Sequence, residues 1–345
     1  MALHQFIQRL LLLGAHVESL PPAPVPQAPT ALRPLIDAIA GTHRRFDERA
    51  IHYGHRYRSG FWAIYLLSAI AVLFAVMPLA LGWDSANHQL HPYAGLWAIG
   101  EVCVIGAVST IYWLGHRRDW QGQWLRARTT AELAWYLPML APLLDFNAAT
   151  ADANWYLRVF DPGQHLRGAD DVEALCTETE PLARKLLANA WSDPAFVQSY
   201  VRWTLDILEQ QRHYHFGIAS KQHALQHRVH TVNTALFALT AVGALLHLVV
   251  HTLWLSLVTT FFPALGASLH GALAQSEAYR LGTTSERLVT ALQAAMGRIR
   301  TALSDTIACG DVTALKASVE AAIALILEEH QDWHLLVRPH NLPLA

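Results

Sequence analysis

The sequence predicts an all-α integral membrane protein with two transmembrane helical hairpins, four spans in all, and long cytoplasmic helical extensions. Three observations predict it. Of the 345 residues, 53% are hydrophobic and only 15% charged, with a mean hydropathy of +0.21, against roughly 25% charged residues in an ordinary soluble protein. Four runs of about 20 apolar residues are each long enough to cross ~30 Å of hydrocarbon. Two stretches of more than 50 residues, between Arg58 and Arg117 and between Arg228 and Arg280, contain no Lys or Arg. That is hard to reconcile with a solvent-exposed helix face.

The opening MALHQFIQRLLLLGAHVE carries Arg9 inside its apolar centre and has no usable cleavage site. Residues 1–20 therefore read as a short amphipathic helix and not as a signal peptide. Residues 21–34 hold Pro21, Pro22, Pro24, Pro26, Pro29 and Pro34, a density that favours an extended, semi-rigid linker.

Residues 35–144 form the first predicted hairpin, with spans at about 61–82 and 94–115. Arg56 and Arg58 precede it and Arg117 and Arg118 follow it, while Lys221, Arg228, Arg280 and Arg287 flank the second pair of spans. By the positive-inside rule both termini are cytoplasmic. After span two, helical spacing continues through Trp120, Trp124, Arg126, Arg128, Glu132 and Trp135 until Pro138 and Pro142 stop it. Trp120 and Trp124, four residues apart with arginine neighbours, are expected to anchor this helix at the lipid headgroups.

A cytoplasmic connector occupies 145–192. Ser192 or Asp193 before Pro194 is a strong helix start. Helical spacing then runs through Trp203, Ile207, Gln210, Tyr214 and Ile218 to Arg228, with Gly217 as a weak point, and on into span three. These ~35 residues before the membrane would project roughly 50 Å. The second hairpin unit covers 193–306, with spans at about 231–250 and 253–271, and span four runs on through Glu277, Arg280 and Leu288 to Leu303. In span four, Ala264, Ala267, Ser268 and Gly271 offer a small-residue packing face, and Pro263 is expected to kink the helix. A break at Ala308, Cys309, Gly310 and Asp311 precedes a last amphipathic helix at 311–337. It carries Leu315, Val319, Ile323, Ile326, His330 and Trp333 on one stripe.

An internal repeat supports two duplicated hairpins. Arg126-Ala-Arg-Thr-Thr-Ala-Glu132 after span two matches Arg280-Leu-Gly-Thr-Thr-Ser-Glu286 after span four. Thr129 with Glu132, and Thr283 with Glu286, have capping-box spacing, so each copy predicts a helix restart below the membrane. Arg126, Glu132, Arg280 and Glu286 are expected to form a membrane-proximal collar.

Composition and motifs exclude several functions. With 25 Lys+Arg against 27 Asp+Glu and a net charge of −2, there is no basic excess for nucleic acid. Cys103, Cys176 and Cys309 are too far apart in sequence for a disulfide framework or a zinc ribbon. No P-loop, GxGxxG or GxSxG motif occurs, so neither catalytic residues nor a cofactor are expected. Twenty histidines are the compositional oddity. His223, His227 and His230 share a helical face and could ligate a metal in a membrane metalloenzyme, but interfacial histidines on amphipathic helices account for them better.

Glu101 is the one acidic residue inside a span. A charge at mid-membrane costs ~2.5–3.5 kcal/mol, less than about twenty apolar residues at ~0.3–0.6 kcal/mol each return, so insertion survives provided Glu101 avoids lipid. It would line an oligomeric pore or accept a proton, or else bond to Ser68 or Tyr65 of span one.

The segment Trp124-Leu-Arg-Ala-Arg-Thr-Thr-Ala-Glu132 after the first hairpin resembles the SLATT family of bacterial two-span effector domains found with nucleotide-second-messenger and phage-defence operons. Gln211-Arg-His-Tyr-His215 and Glu277-Ala-Tyr-Arg280 resemble larger four-span relatives, which often carry an N-terminal nucleotide-sensing domain. The resemblance spans roughly Arg56 to Leu303. It implies an inner-membrane effector that oligomerises and permeabilises the bilayer when a sensor is triggered. A separately encoded sensor or defence protein is the expected partner, beside the lipid bilayer and further copies of the chain. Before the proline-rich linker there is either a short helix that docks on a partner or the membrane, or the place of a missing sensor. The rival expectation is a membrane anchor that recruits a soluble defence enzyme. A conventional transporter fits less well, because no broken-helix signal is visible.

Overall fold

The computed structural model describes residues 1–83, 93–144, 169–250 and 252–336. All regular structure among them is helical. α1 (Leu3–Leu11), α2 (Arg33–Ala80), α3 (Ala94–Arg117) and α4 (Trp120–Leu140) make the first half. α5 (Ala169–Leu187) leads into the second, made of α6 (Pro194–His247), α7 (Leu253–Gln275), α8 (Ala278–Cys309) and α9 (Thr313–Leu336). Four segments, within Thr30–Ala80, Ala94–Arg117, Pro194–His247 and Leu253–Cys309, are long and apolar enough to cross a membrane.

The halves repeat one plan. A long helix (α2 or α6) packs on a following apolar helix (α3 or α7), and the chain then breaks and returns along the long helix as α4 or α8. α2 also packs on α7, which joins the halves. Asp193 caps α6 as its residue type dictates, its carboxylate accepting from the Ala195 N–H at 2.9 Å with Pro194 in the first turn. α6 is then continuous through Gly217.

Two apolar clusters hold the bundle. At the polar end, Leu35 and Ile39 of α2, Leu137 of α4, Val201 of α6, Leu292 and Ile299 of α8 and Ile323 of α9 are all buried. The Tyr200 hydroxyl donates to the Met139 carbonyl at 2.6 Å and pins α6 to α4. Leu315, Val319, Ile323 and Ile326 face this core, as the stripe requires; His330 and Trp333 lie outside the residues whose side chains are described. The second cluster, nearer the apolar end, joins Phe61, Trp62 and Ile64 of α2 to Trp124 of α4, Val229 of α6 and Leu269 and Ala272 of α7.

Several expectations give way. Spans two and four do not continue unbroken into α4 and α8. The chain turns at Asp119 (φ 44°) and Glu277 (φ 53°), both left-handed and neither a glycine. Pro138 does not stop α4, which runs past it to Leu140 before a short 3-10 turn at Ala141–Leu143. Pro263 lies inside α7, where a kink is the expected effect. The proline-rich segment does not lead away from the bundle as a spacer. Arg228 donates to the Leu13 carbonyl, the Glu18 N–H to Ser220 Oγ at 2.8 Å, and the Gln210 amide to the Pro24 carbonyl, so the segment is a strap laid down the side of α6. The connector's residues 145–168 and the turn at 84–92 lie outside the described residues.

Close approach of α7 to α2 depends on Gly271. A Cβ there would fall 2.5 Å from the Tyr65 ring, closer than real Cβ atoms come. Gly271→Val is expected to push the helices apart at a cost of about 1–3 kcal/mol. Thermal unfolding of the detergent-solubilised protein checks this, and an unchanged midpoint would contradict the packing.

Candidate functional site

The repeat places the two predicted arginines alike. Arg126 bonds Asp119 at 2.8 Å and Arg280 approaches Glu277 at 3.9 Å, so each arginine returns to the acidic residue at its own chain break. Arg126 lies seven residues beyond its break and Arg280 three, a difference of about one helical turn. The acids of the repeat diverge: Glu132 pairs with Arg128, and Glu286 faces His223 at 3.5 Å. Each of the four residues thus has its own partner, and none of them pairs with another of the four.

Thr129 and Thr283 do not cap restarts either. Both lie within helices, where their hydroxyls donate back to the Leu125 and Tyr279 carbonyls. The restart after span two falls at Asp119, whose carboxylate accepts from the Gly122 N–H at 3.1 Å. A Cβ on Gly122 would lie 2.3 Å from that carboxylate. Asp followed three residues later by Gly was the signal in the sequence.

Trp124 is not an outward anchor. It is 5% exposed, stacked on Tyr57 with ring centroids 5.8 Å apart, and lies under the Arg58 guanidinium. Gly54 makes room for it, since a Cβ there would meet the indole at 2.9 Å. Trp120 is half-buried and packs beside Gly60.

On α3, Leu96, Ile99, Val102 and Ile105 face outward around a half-buried Glu101. Among the described residues Glu101 has no hydrogen-bond or ion-pair partner. The contact to span one is not made. Ser68 Oγ donates to the Ile64 carbonyl of its own helix at 2.9 Å, and Tyr65 packs on Gly271. His223, His227 and His230 line a shallow groove with Glu286. Among the described residues no three His, Cys, Asp or Glu side chains are grouped to hold a metal ion.

A chamber of about 320 Å³ lies between the halves, where α2, α4, α6 and α8 meet. Sequence reading counted Arg58 and Lys221 as flanking charges and missed that they share this space. Arg128 lines the same chamber, close to Glu132 and 3.8 Å from Asp47. Burial raises the Glu132 carboxyl above the ordinary range against the pull of Arg128. His215, 5% exposed and 3.2 Å from Ser285 Oγ, is lowered to about 4 by burial and then by Arg128. At neutral pH its ring is uncharged. Arg58 borders the chamber and is itself exposed, and burial of its surroundings lowers its guanidinium from the ordinary value.

Fold and site together define an all-helical protein compatible with multi-pass membrane insertion, with a cation-lined chamber at the middle of its long helices. No family model, curated protein or solved structure matches the chain.

Proposed function

We propose that the protein is an effector of a bacterial anti-phage or conflict system. It sits in the inner membrane with both termini in the cytoplasm, and copies of the chain assemble into a pore or disrupt the bilayer when a separately encoded sensor signals. The observation that carries this reading is Glu101, an acid without a partner among the described residues on an apolar helix that is otherwise turned outward. An intramembrane carboxylate left against lipid is costly and faces a bundle interior or water. A neighbouring copy packed on α3 supplies such an interior, and a ring of carboxylates there favours cations. The resemblance to SLATT effectors supplies the biological setting.

Native mass spectrometry of the detergent-solubilised protein is expected to give a tetramer or larger ring. Glu101→Ala, at normal expression, is expected to cut ion flux through proteoliposomes at least tenfold. A strict monomer that stays monomeric with its sensor added sinks the pore reading in favour of a membrane anchor. Full flux through the Glu101→Ala protein removes this residue from the ion path.

A further inference from the structure

The charges around the central chamber do not balance. Arg128 is answered by Glu132 and Asp47, and Glu277 at the rim by Arg280. Arg58 and Lys221 are left with no carboxylate among the described residues; Arg58 lies instead over the Trp124 ring, 5.0 Å from its centroid. Arg58 is exposed and Lys221 half-exposed, so the pair presents open, unpaired donors beside the chamber, to which an anion can bind.

Gln222 adds a second, independent observation. Its side-chain oxygen is buried and accepts no hydrogen bond among the described residues, although the side chain borders the same chamber. A buried acceptor left open is a place for a ligand's N–H or O–H. Three aromatic side chains, Tyr57, Trp124 and Tyr214, also line the chamber. The volume is at the small end of the range of ligand pockets.

We infer that this chamber binds a small phosphate monoester bearing a flat ring, its phosphate held by Arg58 and Lys221 and its ring laid against the aromatic side chains. Arginine's fork and lysine's ammonium are the pair of donors that phosphate recognition uses. The ring lies beside the Tyr57, Trp124 and Tyr214 side chains that line the chamber, and its polar edge meets Gln222. Burial lowers both cations from their ordinary values, with Arg128 adding to the effect on Arg58, and Arg58 and Arg9 to that on Lys221, a tension that a bound dianion relieves. Because the chamber touches both halves, the ligand bridges them. This inference stands independently of Glu101 and of any pore. The same phosphate chemistry is offered by a soluble mononucleotide and by a phospholipid headgroup reaching in from the apolar end.

The test is the thermal midpoint of the full-length protein in detergent, titrated with adenosine monophosphate, with dihexanoyl phosphatidic acid, and with potassium chloride at matched ionic strength. The proteins compared are the unaltered chain, Arg58→Gln, Lys221→Gln and, as a control, Arg298→Gln on the exposed face of α8. Expected is a saturable rise with adenosine monophosphate, unchanged in Arg298→Gln and shifted to at least tenfold higher concentration in the other two. Should Arg58→Gln not fold, Lys221→Gln, at a half-exposed position, decides alone. A rise with phosphatidic acid only, with the same variant pattern, keeps the phosphate site, assigns it to a headgroup and overturns the ring. No rise beyond chloride, or an equal rise in all four proteins, overturns the site.

Discussion

Trp62→Ala is expected to destabilise the protein by about 3–5 kcal/mol, the range for truncating a fully enclosed aromatic side chain. Trp62 is 0% exposed and is part of the cluster that joins α2 to Val229 of α6 and to Leu269 and Ala272 of α7. Removing it opens a void where both halves meet, and helices already packed through Gly271 have little freedom to collapse into it. Trp62→Phe should be far milder. The indole N–H is buried and makes no hydrogen bond among the described residues, so a phenyl ring gives up area but no bond. Denaturant or thermal unfolding in detergent measures both variants. Equal losses would mean that the indole nitrogen has a partner after all.

Acid should weaken the protein through two histidines. His4 is lowered to about 4 by burial and then by Arg58, His55 and Lys221, and His215 to about 4 by burial and then by Arg128. In the unfolded chain both titrate near 6.5. Between about pH 6.5 and pH 4 the unfolded state therefore binds more protons than the native one. Stability is full above pH 6.5 and falls as the pH drops towards 4, by up to about 3 kcal/mol for each residue. Glu132 works in the opposite sense, because its raised carboxyl takes up a proton in the native state first. The clean readout is thus the difference between the unaltered protein and His215→Gln, which should lose its share of the slope. His4 belongs to α1, where its Nδ1 meets Ser59 Oγ at 3.1 Å and its ring lies 5.3 Å from that of His55. Release of α1 alone can satisfy that proton, so hydrogen exchange in α1 should rise at higher pH than exchange in α6. Stability that is flat from pH 6.5 to 4 in both proteins would contradict the burial of both rings.

The four apolar segments and the start of α6 were legible because they depend on composition and on single residues. Long gaps between basic residues mark the spans, and Asp193 before Pro194 marks the cap. The chain breaks were harder to see. Asp119 and Glu277 take up a left-handed conformation that neither residue type demands, and the repeated Thr-Thr motif drew attention six to eleven residues downstream. Polarity misled at Trp124. A tryptophan next to arginines resembles a headgroup anchor, but Gly54, seventy positions earlier, opens a slot that takes the ring inside. The docking of the strap was not visible in the sequence, because its partners on α6 are single polar contacts that no periodicity announces. The chamber was invisible for the same reason. Arg58, Arg128 and Lys221 come from three helices, and two of them had already been given a sufficient role as flanking charges.

The contrast between unbroken and broken helices has a mechanical meaning. α2 and α6 are struts of about 72 and 81 Å, and each return path has a joint at Asp119 or Glu277. Arg58 and Lys221 lie near the midpoints of those struts, so the chamber is at the fulcrum of both. A tilt of about 5° there would move the end of α2, some 36 Å away, by about 3 Å. A small change of helix tilt at that level is thereby magnified towards the ends of the two struts.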